Sequence, residues 1–234
     1  MSQTLKFGNK TWATKVGSTL AYNDENGNYK PLPFAFTRST SATRVNKQGL
    51  IEVVTNDRPR IDYTDTSDGV LLLEKAATNN ILYSQKISLT PVKNGTFVDN
   101  FAISPDGTQN STKLTATTAD PYFYQNVTFA AGDYTASLYV KGIGDSIGKD
   151  FRFAIGGNTD TVNKNKITSE WTRFSYTATM NAGTQSTGLE ITDPAVVGDE
   201  ILVWGWQVEN NSVASSYIPT QGSASTRVAE TANG

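Results

Sequence analysis

No run of ten residues in this chain carries apolar side chains at convincing helical spacing; from about residue 97 onward the apolar residues instead alternate with polar ones. Period-two alternation places successive side chains on opposite faces of a strand. In 133–141, Tyr134, Ala136, Leu138 and Val140 form one apolar face, and Thr135, Ser137, Tyr139 and Lys141 form the other. In 151–156, Phe151, Phe153 and Ile155 point inward and Arg152 outward. In 171–180, Phe174, Tyr176 and Ala178 lie with Thr172, opposite Trp171, Arg173 and Ser175. In 200–209, Leu202, Trp204, Trp206 and Val208 share a side, with both tryptophans read as core, and Ile201, Val203, Gly205 and Gln207 share the other. Strands are expected near 111–117, 122–129, 133–141, 151–156, 171–180, 187–192 and 200–209. Seven such strands between Gly, Asn, Asp and Pro clusters predict a β-sandwich or jelly roll.

Composition agrees. Thr, Ser and Asn supply 70 of 234 residues, a surplus that favours strands and turns. The 37% hydrophobic content is enough for a core, and the 18% charged content is far from that of a disordered polyelectrolyte. With no cysteine there is no disulfide, thiol nucleophile or thiolate metal site. With no histidine there is no Ser-His-Asp triad and no imidazole base or ligand. No cofactor or metal is expected. A net charge of −2 gives no footprint for nucleic acid, and no apolar run reaches the ~18 residues of a membrane helix, so no membrane insertion is expected. The first seven residues lack the layout of a signal peptide, which predicts a protein made in, and assembled within, a cytoplasm.

The first third reads as hairpins. Thr19-Leu20-Ala21-Tyr22 and Tyr29-Lys30-Pro31-Leu32 flank a turn centred on Gly27; Asp24, Asn26 and Asn28 there resemble the start of a calcium loop, but its bidentate Glu is missing, and the segment is read as a turn. Leu50-Ile51-Glu52-Val53-Val54 and Arg60-Ile61-Asp62-Tyr63 read as strands, Val70-Leu71-Leu72-Leu73-Glu74 as a short buried strand, and Ala76-Ala77-Thr78-Asn79-Asn80 as at most one helical turn. One echo stands out: Ser41-Ala42-Thr43-Arg44-Val45 returns as Ala224-Ser225-Thr226-Arg227-Val228. Chance in a Ser/Thr-rich chain is one reading. The other lays the C-terminal tail beside the first module, with each Arg bridging local carboxylates.

Three segments carry a resemblance. They are Phe36-Thr37-Arg38-Ser39-Thr40-Ser41-Ala42-Thr43-Arg44-Val45 with Gly49-Leu50-Ile51-Glu52 and Pro59-Arg60-Ile61-Asp62-Tyr63; Leu71-Leu72-Leu73-Glu74 with Thr78-Asn79-Asn80-Ile81-Leu82-Tyr83-Ser84; and Trp204-Gly205-Trp206-Gln207-Val208-Glu209 with Ser215-Ser216-Tyr217-Ile218-Pro219-Thr220 and Thr226-Arg227. Together, over most of 34–229, they resemble bacteriophage virion fibre proteins of the head-spike or tail-fibre type, with a carbohydrate-binding-module-like jelly roll. The chain departs from the family at Lys75-Ala76-Ala77, where Arg is usual, and at Trp206, where a small residue is usual. The resemblance implies a virion component, an oligomer and often a trimer, whose partners are other capsid or tail proteins. It implies no catalytic site.

The expected architecture is therefore all-β: a hairpin-rich module over 1–83 that docks to the particle, a jelly-roll sandwich over 84–218 and a tail over 219–234. The expected function is a structural and adhesive part of a phage virion that holds host surface polysaccharide weakly through many copies. A polysaccharide depolymerase subunit and a capsid-decorating protein without glycan binding are the alternatives. The outward faces of the strands offer Tyr122, Tyr124, Tyr139, Lys141, Arg152, Trp171, Arg173 and Gln207 as glycan contacts. Aromatic rings cover the apolar face of a pyranose, while Arg and Gln bond its hydroxyls; contact with a neighbouring subunit accounts for the same residues. The carboxylate pairs Asp57/Asp62, Asp65/Asp68 and Asp199/Glu200 fall at turns or strand ends, which predicts solvated acids, not a glycosidase pair.

Overall fold

A computed structural model describes residues 12–23, 28–31, 35–119, 121–156, 164–193 and 195–233. Among them there is no α-helix, only strands and two short 3-10 turns. The chain divides into two compact units, 1–77 with 226–234, and 78–225. These limits differ from the expected 83/84 and 218/219: residues 78–83 and 219–225 lie with the sandwich, and the last nine residues lie with the first unit.

The first unit is a set of short antiparallel pairs. β1 (Trp12–Lys15), β2 (Ser18–Asn23) and β3 (Asn28–Pro31) form a three-stranded sheet with Tyr22 opposite Tyr29. The calcium-like Asp24 and Asn26 lie outside the described residues. β4 (Ala35–Thr37) takes the chain's last strand beside it, Thr231–Asn233. β5 (Ala42–Val45) and β6 (Ile51–Val54) are joined by a turn in which the Asn46 side chain accepts bonds from the N–H groups of Gln48 and Leu50, and Gly49 takes φ +80°. β7 (Arg60–Asp62) pairs with β8 (Val70–Leu72).

Two expectations are corrected here. The apolar run over 70–73 is not a buried strand: Val70 and Leu73 are 42% and 48% exposed. The interior beside β7 is filled by guanidinium groups instead. Nor does 76–80 form a helical turn, because the chain leaves the unit through β9 (Ala77–Asn79), extended. Both arginines of the sequence echo do meet carboxylates. Arg44 Nε bonds Glu52 at 2.6 Å, and Arg227 Nη1 meets Glu74 at 2.9 Å.

The second unit is a jelly-roll sandwich of two five-stranded antiparallel sheets. Its strands are β10 (Val92–Asn94), β11 (Thr96–Val98), β12 (Thr112–Thr115), β13 (Tyr122–Phe129), β14 (Gly132–Ile143), β15 (Asp150–Ile155), β16 (Lys164–Lys166), β17 (Thr172–Met180), β18 (Gly183–Asp193) and β19 (Glu200–Glu209). The front sheet has the order β10-β13-β18-β15-β16 and the back sheet β11-β12-β19-β14-β17. The remaining strands are β20 (Ser225–Arg227), on the path back to the first unit, and β21 (Thr231–Asn233). The core lies between the sheets: Phe123, Phe151, Phe153 and Leu189 from the front, Leu114, Leu138, Val140 and Trp206 from the back. Each such side chain stabilises the fold by ~1.5–3 kcal/mol when fully buried.

β19 differs from its expected faces. Gly205 has φ +70°, and the register against β14 shifts between Ser137 and Tyr139. This bulge reverses the parity of the strand. Ile201, Val203, Trp206 and Val208 enter the core, while Trp204, on the other parity, packs its ring against Tyr139 and Tyr217 at 5.7 and 4.6 Å. Trp206 packs edge-on to Phe123 at 5.0 Å.

Candidate functional site

The eight residues read from sequence fall on two different surfaces. Tyr122, Tyr124 and Arg152 lie on the outward face of the front sheet. Tyr139, Lys141, Trp171, Arg173 and Gln207 come from the back sheet.

The back-sheet face is occupied by the protein itself. Gln207 is fully buried. Its amide donates to Glu209 at 2.7 Å, and its carbonyl accepts the Ile218 N–H at 2.7 Å. Glu209 in turn accepts from the Ser215 N–H and hydroxyl at 2.8 and 2.6 Å. These bonds clamp residues 215–218 over the sheet and bring Tyr217 onto Trp204. The Tyr217 hydroxyl meets Ser84 Oγ at 2.6 Å, and burial pushes its ionisation well above the ordinary tyrosine value. Gln207 as a glycan contact is therefore corrected to a scaffold residue. Tyr139 lies half-buried under this arrangement, with the Arg173 guanidinium 5.6 Å from its ring, and Arg173 donates to Ser137 Oγ at 2.9 Å. Trp171 donates to the Ile103 carbonyl at 3.0 Å, and Lys141 lies 3.7 Å from Glu170. Gln207, Trp171, Arg173 and Lys141 thus each have a polar contact within the chain, whereas, among the described residues, Arg173 Nε and Trp204 Nε1 are buried without a hydrogen bond.

On the front-sheet face Tyr122, Tyr124, Arg152 and Glu190 are each partly exposed and are ordered by register. β13 places Tyr122 and Tyr124 on one side and Phe123 in the core, as alternation requires. The two tyrosine rings stack at 5.6 Å and 25°. Cross-strand pairing sets Asn94, Tyr122, Glu190, Arg152 and Lys164 in one row on five successive strands. At the usual strand spacing that row is about 19 Å long. In its middle Arg152 and Glu190 form a two-pronged pair, with Nη2 2.8 Å from each carboxylate oxygen. Both remain partly exposed, at 17% and 19%.

The neighbouring row runs Val92, Tyr124, Gly188, Ala154. Gly188 is required: a Cβ there would sit 2.0 Å from the Phe123 carbonyl oxygen. Gly188 is itself buried against β13, and Ala154 beside it is half-buried. Beyond it come Asn126 with Ser186, and Thr128 bonded to Thr184 at 2.9 Å. The face thus offers a stacked ring pair beside a row of fixed donors and acceptors. Chemically it suits a flat, hydroxyl-rich ring system. Glu190 belongs to this group and was not read from sequence; its signal, an acid at an alternate position of β18, acquires meaning only once its cross-strand neighbours are known.

Of the three acid pairs, Asp57/Asp62 and Asp199/Glu200 hold structure instead, while Asp65 is exposed as expected. Asp57 accepts the Arg38 N–H at 2.9 Å; Asp62 accepts the N–H groups of Val45 and Thr64 at 2.8 and 2.9 Å. Asp199 meets Lys149 at 2.5 Å, and Glu200 meets Lys113 at 2.6 Å, a bond that holds the Glu200 carboxyl below its ordinary range. Among the described residues no group of three or more acids is placed to hold a metal ion.

No protein-family model matches the sequence, and no curated protein is significantly similar to it. The solved structures give weak likenesses. The CBM22-1 xylan-binding domain of Xyn10C from Paenibacillus barcinonensis aligns at 17% identity and a TM-score of 0.41, covering 58% of this chain and 94% of that domain. The C-terminal CBM6 of LamC from Zobellia galactanivorans aligns at 14% and 0.39, covering 58% of this chain and all of its own. The enzymatically active domain of tailspike protein 4 of bacteriophage CBA120 aligns at 11% and 0.33, covering 57% of this chain and 19% of that protein.

Proposed function

We propose that the sandwich is a non-catalytic carbohydrate-binding module and that its front sheet is the binding face. The observation that carries this reading is the row through Tyr122, Glu190 and Arg152 beside the Tyr122–Tyr124 stack. The rings cover the apolar face of a sugar, and the Arg152–Glu190 pair supplies a donor and an acceptor for vicinal hydroxyls. The row is long enough for several sugar units lying across the strands. Binding without turnover fits the structural bonds that engage Asp57, Asp62, Asp199 and Glu200, since hydrolysis needs two carboxylates at a defined separation.

The finer reading is an adhesive component of a phage particle, assembled in the bacterial cytoplasm and displayed on head or tail. Its support is the sequence resemblance over most of 34–229, and weak single-site binding made useful by many copies suits such a role. The first unit would dock the chain to other virion proteins.

The test is titration of the full chain against soluble plant β-glycans and purified bacterial capsular and O-antigen polysaccharides. Saturable binding to at least one probe is expected, reduced about 30-fold or more in the double variant Tyr122→Ala/Tyr124→Ala, since each stacked ring contributes ~1–3 kcal/mol. Gln207→Asn should leave affinity unchanged. No binding to any probe, or binding that the tyrosine variant retains, contradicts the reading.

A further inference from the structure

The four outer strands of the sandwich are unlike one another. β10, β11 and β16 have three residues each; β10 follows Pro91 and carries Lys93, and β16 is Lys164-Asn165-Lys166. Shortness, lysine and proline are the usual devices by which a protein keeps its sheet edges from pairing with other chains. β17 has none of them. It runs nine residues, Thr172–Met180, with no lysine, proline or glycine. Among the described residues its only strand partner is β14, and its register against β14 is regular from Gly132 to Val140. Alternate N–H and C=O groups along its free side are therefore available to an extended strand.

The side chains carry the same mark. On β14, one strand further in, Tyr134, Ala136 and Leu138 are buried. Their register partners on β17, Ala178, Tyr176 and Phe174, pack against the core yet stay only half-buried. The apolar layer thus ends one strand early at this edge.

We propose that β17 is a docking edge for the β17 of a second copy of this chain, the two edges pairing antiparallel so that the two five-stranded back sheets join into one. The strand is self-complementary about Tyr176. A two-fold pairing there sets Phe174 against Ala178 and Tyr176 against Tyr176 on the core-facing side. On the other side it sets Ser175 against Thr177 and Arg173 against Thr179. No like charges face each other. Arg173 of each copy comes to the end where Asp133 of the other stands beside Thr179, whose hydroxyl donates to it at 2.6 Å. The occupant is thus a strand that is half apolar, half hydroxylic and positively charged at one end, which β17 itself is. The pairing is isologous, so it closes at two copies.

The mass of the full chain by light scattering over a concentration series tests this. A reversible pair at twice 25.3 kDa is expected. Ser175→Lys/Thr177→Lys places two lysine pairs face to face across the joint and should weaken association about 100-fold or more. Thr128→Lys/Thr184→Lys makes the same charge change away from the edge and should leave the pair intact. Amide exchange in wild-type β17 gives a readout that needs no variant: slow exchange when concentrated and faster on dilution. A monomer throughout, a trimer, a pair that the β17 lysines leave intact, or exchange that ignores concentration each overturns the proposal.

Discussion

Around Glu230 the first unit buries charge, whereas between its sheets the second buries rings and aliphatic chains. Arg38 Nη1 and Arg60 Nε both reach Glu230 Oε1 at 2.7 Å, and Arg60 Nη2 reaches Glu230 Oε2 at 2.5 Å and Glu74 at 2.8 Å. Arg38, Arg60 and Glu230 side chains are wholly excluded from solvent. The guanidinium of Arg38 also donates to the carbonyls of Thr40, Val54 and Thr55, and that of Arg60 to the carbonyl of Thr43. Burial works against both cations. It holds Arg38 below its ordinary value, while for Arg60 the bonds to Glu230 and Glu74 outweigh it and hold the group above. Desolvating this many charges is costly, and only complete pairing offsets it. Short strands around an ionic centre therefore form a unit in which one missing carboxylate matters greatly. In the sandwich, by contrast, loss is graded by volume, since packing is shared among many neighbours.

The comparison is most easily broken at Glu230. Glu230→Ala leaves Arg38 and Arg60 buried without their anion and should destabilise the first unit by ~3–5 kcal/mol. Calorimetry is expected to show that unit's transition shifted or lost while the sandwich transition stays in place. A parallel loss in both transitions would mean that the units do not differ as described.

Gln207→Ala asks the converse question, whether the sandwich has a polar dependence of its own. It removes the acceptor of the Ile218 N–H and a donor to Glu209. The sandwich transition should fall by ~1–3 kcal/mol, with residues 210–218 exchanging amide protons faster.

The smallest effect is that of acid. Burial opposes the Asp106 carboxylate, but hydrogen bonds from Thr108, Asn110 and Ser104 outweigh it and hold the group below its ordinary range. Glu52, bonded to Asn46 and Arg44, is likewise held low against its burial. A carboxylate whose folded value is depressed contributes stability above its unfolded pKa, about 4, and loses it as pH falls through the folded value. Melting temperature should be flat above about pH 5 and decline below about pH 4. Asp106→Asn should make the sandwich's decline shallower and leave that of the first unit unchanged.

What was legible from residues alone follows from the range of each interaction. β13 spans 122–129 as alternation indicates, and the inward faces of β14, β15 and β17 carry the expected residues. The faces of β19 were misread because one glycine between two tryptophans, Gly205, inserts a bulge; its presence inside a strand was the available signal. The two outward surfaces could not be told apart, since whether a face is covered depends on segments far along the chain, such as 215–218 over the back sheet. Glu190 was missed because its role depends on lying between Tyr122 and Arg152 on other strands. The motifs that carried the family resemblance prove to be buried hydrogen-bonding centres: Arg38 and Arg60 in the first unit, Asn79, Gln207 and Glu209 in the sandwich. Asn79, for example, donates to the carbonyls of Trp206 and Ile218 and accepts from Ile81 and Val208. Such residues mark a fold, and the proposed ligand face lies elsewhere.

The central claim is that the front sheet binds sugar and the back sheet does not. Backbone amide NMR shifts, followed as a binding polysaccharide fragment is added to the full chain, address it most directly. The account predicts that the largest changes cluster at Tyr122, Tyr124, Arg152, Gly188 and Glu190. Changes centred on Tyr139, Trp171 and Arg173 instead would contradict it.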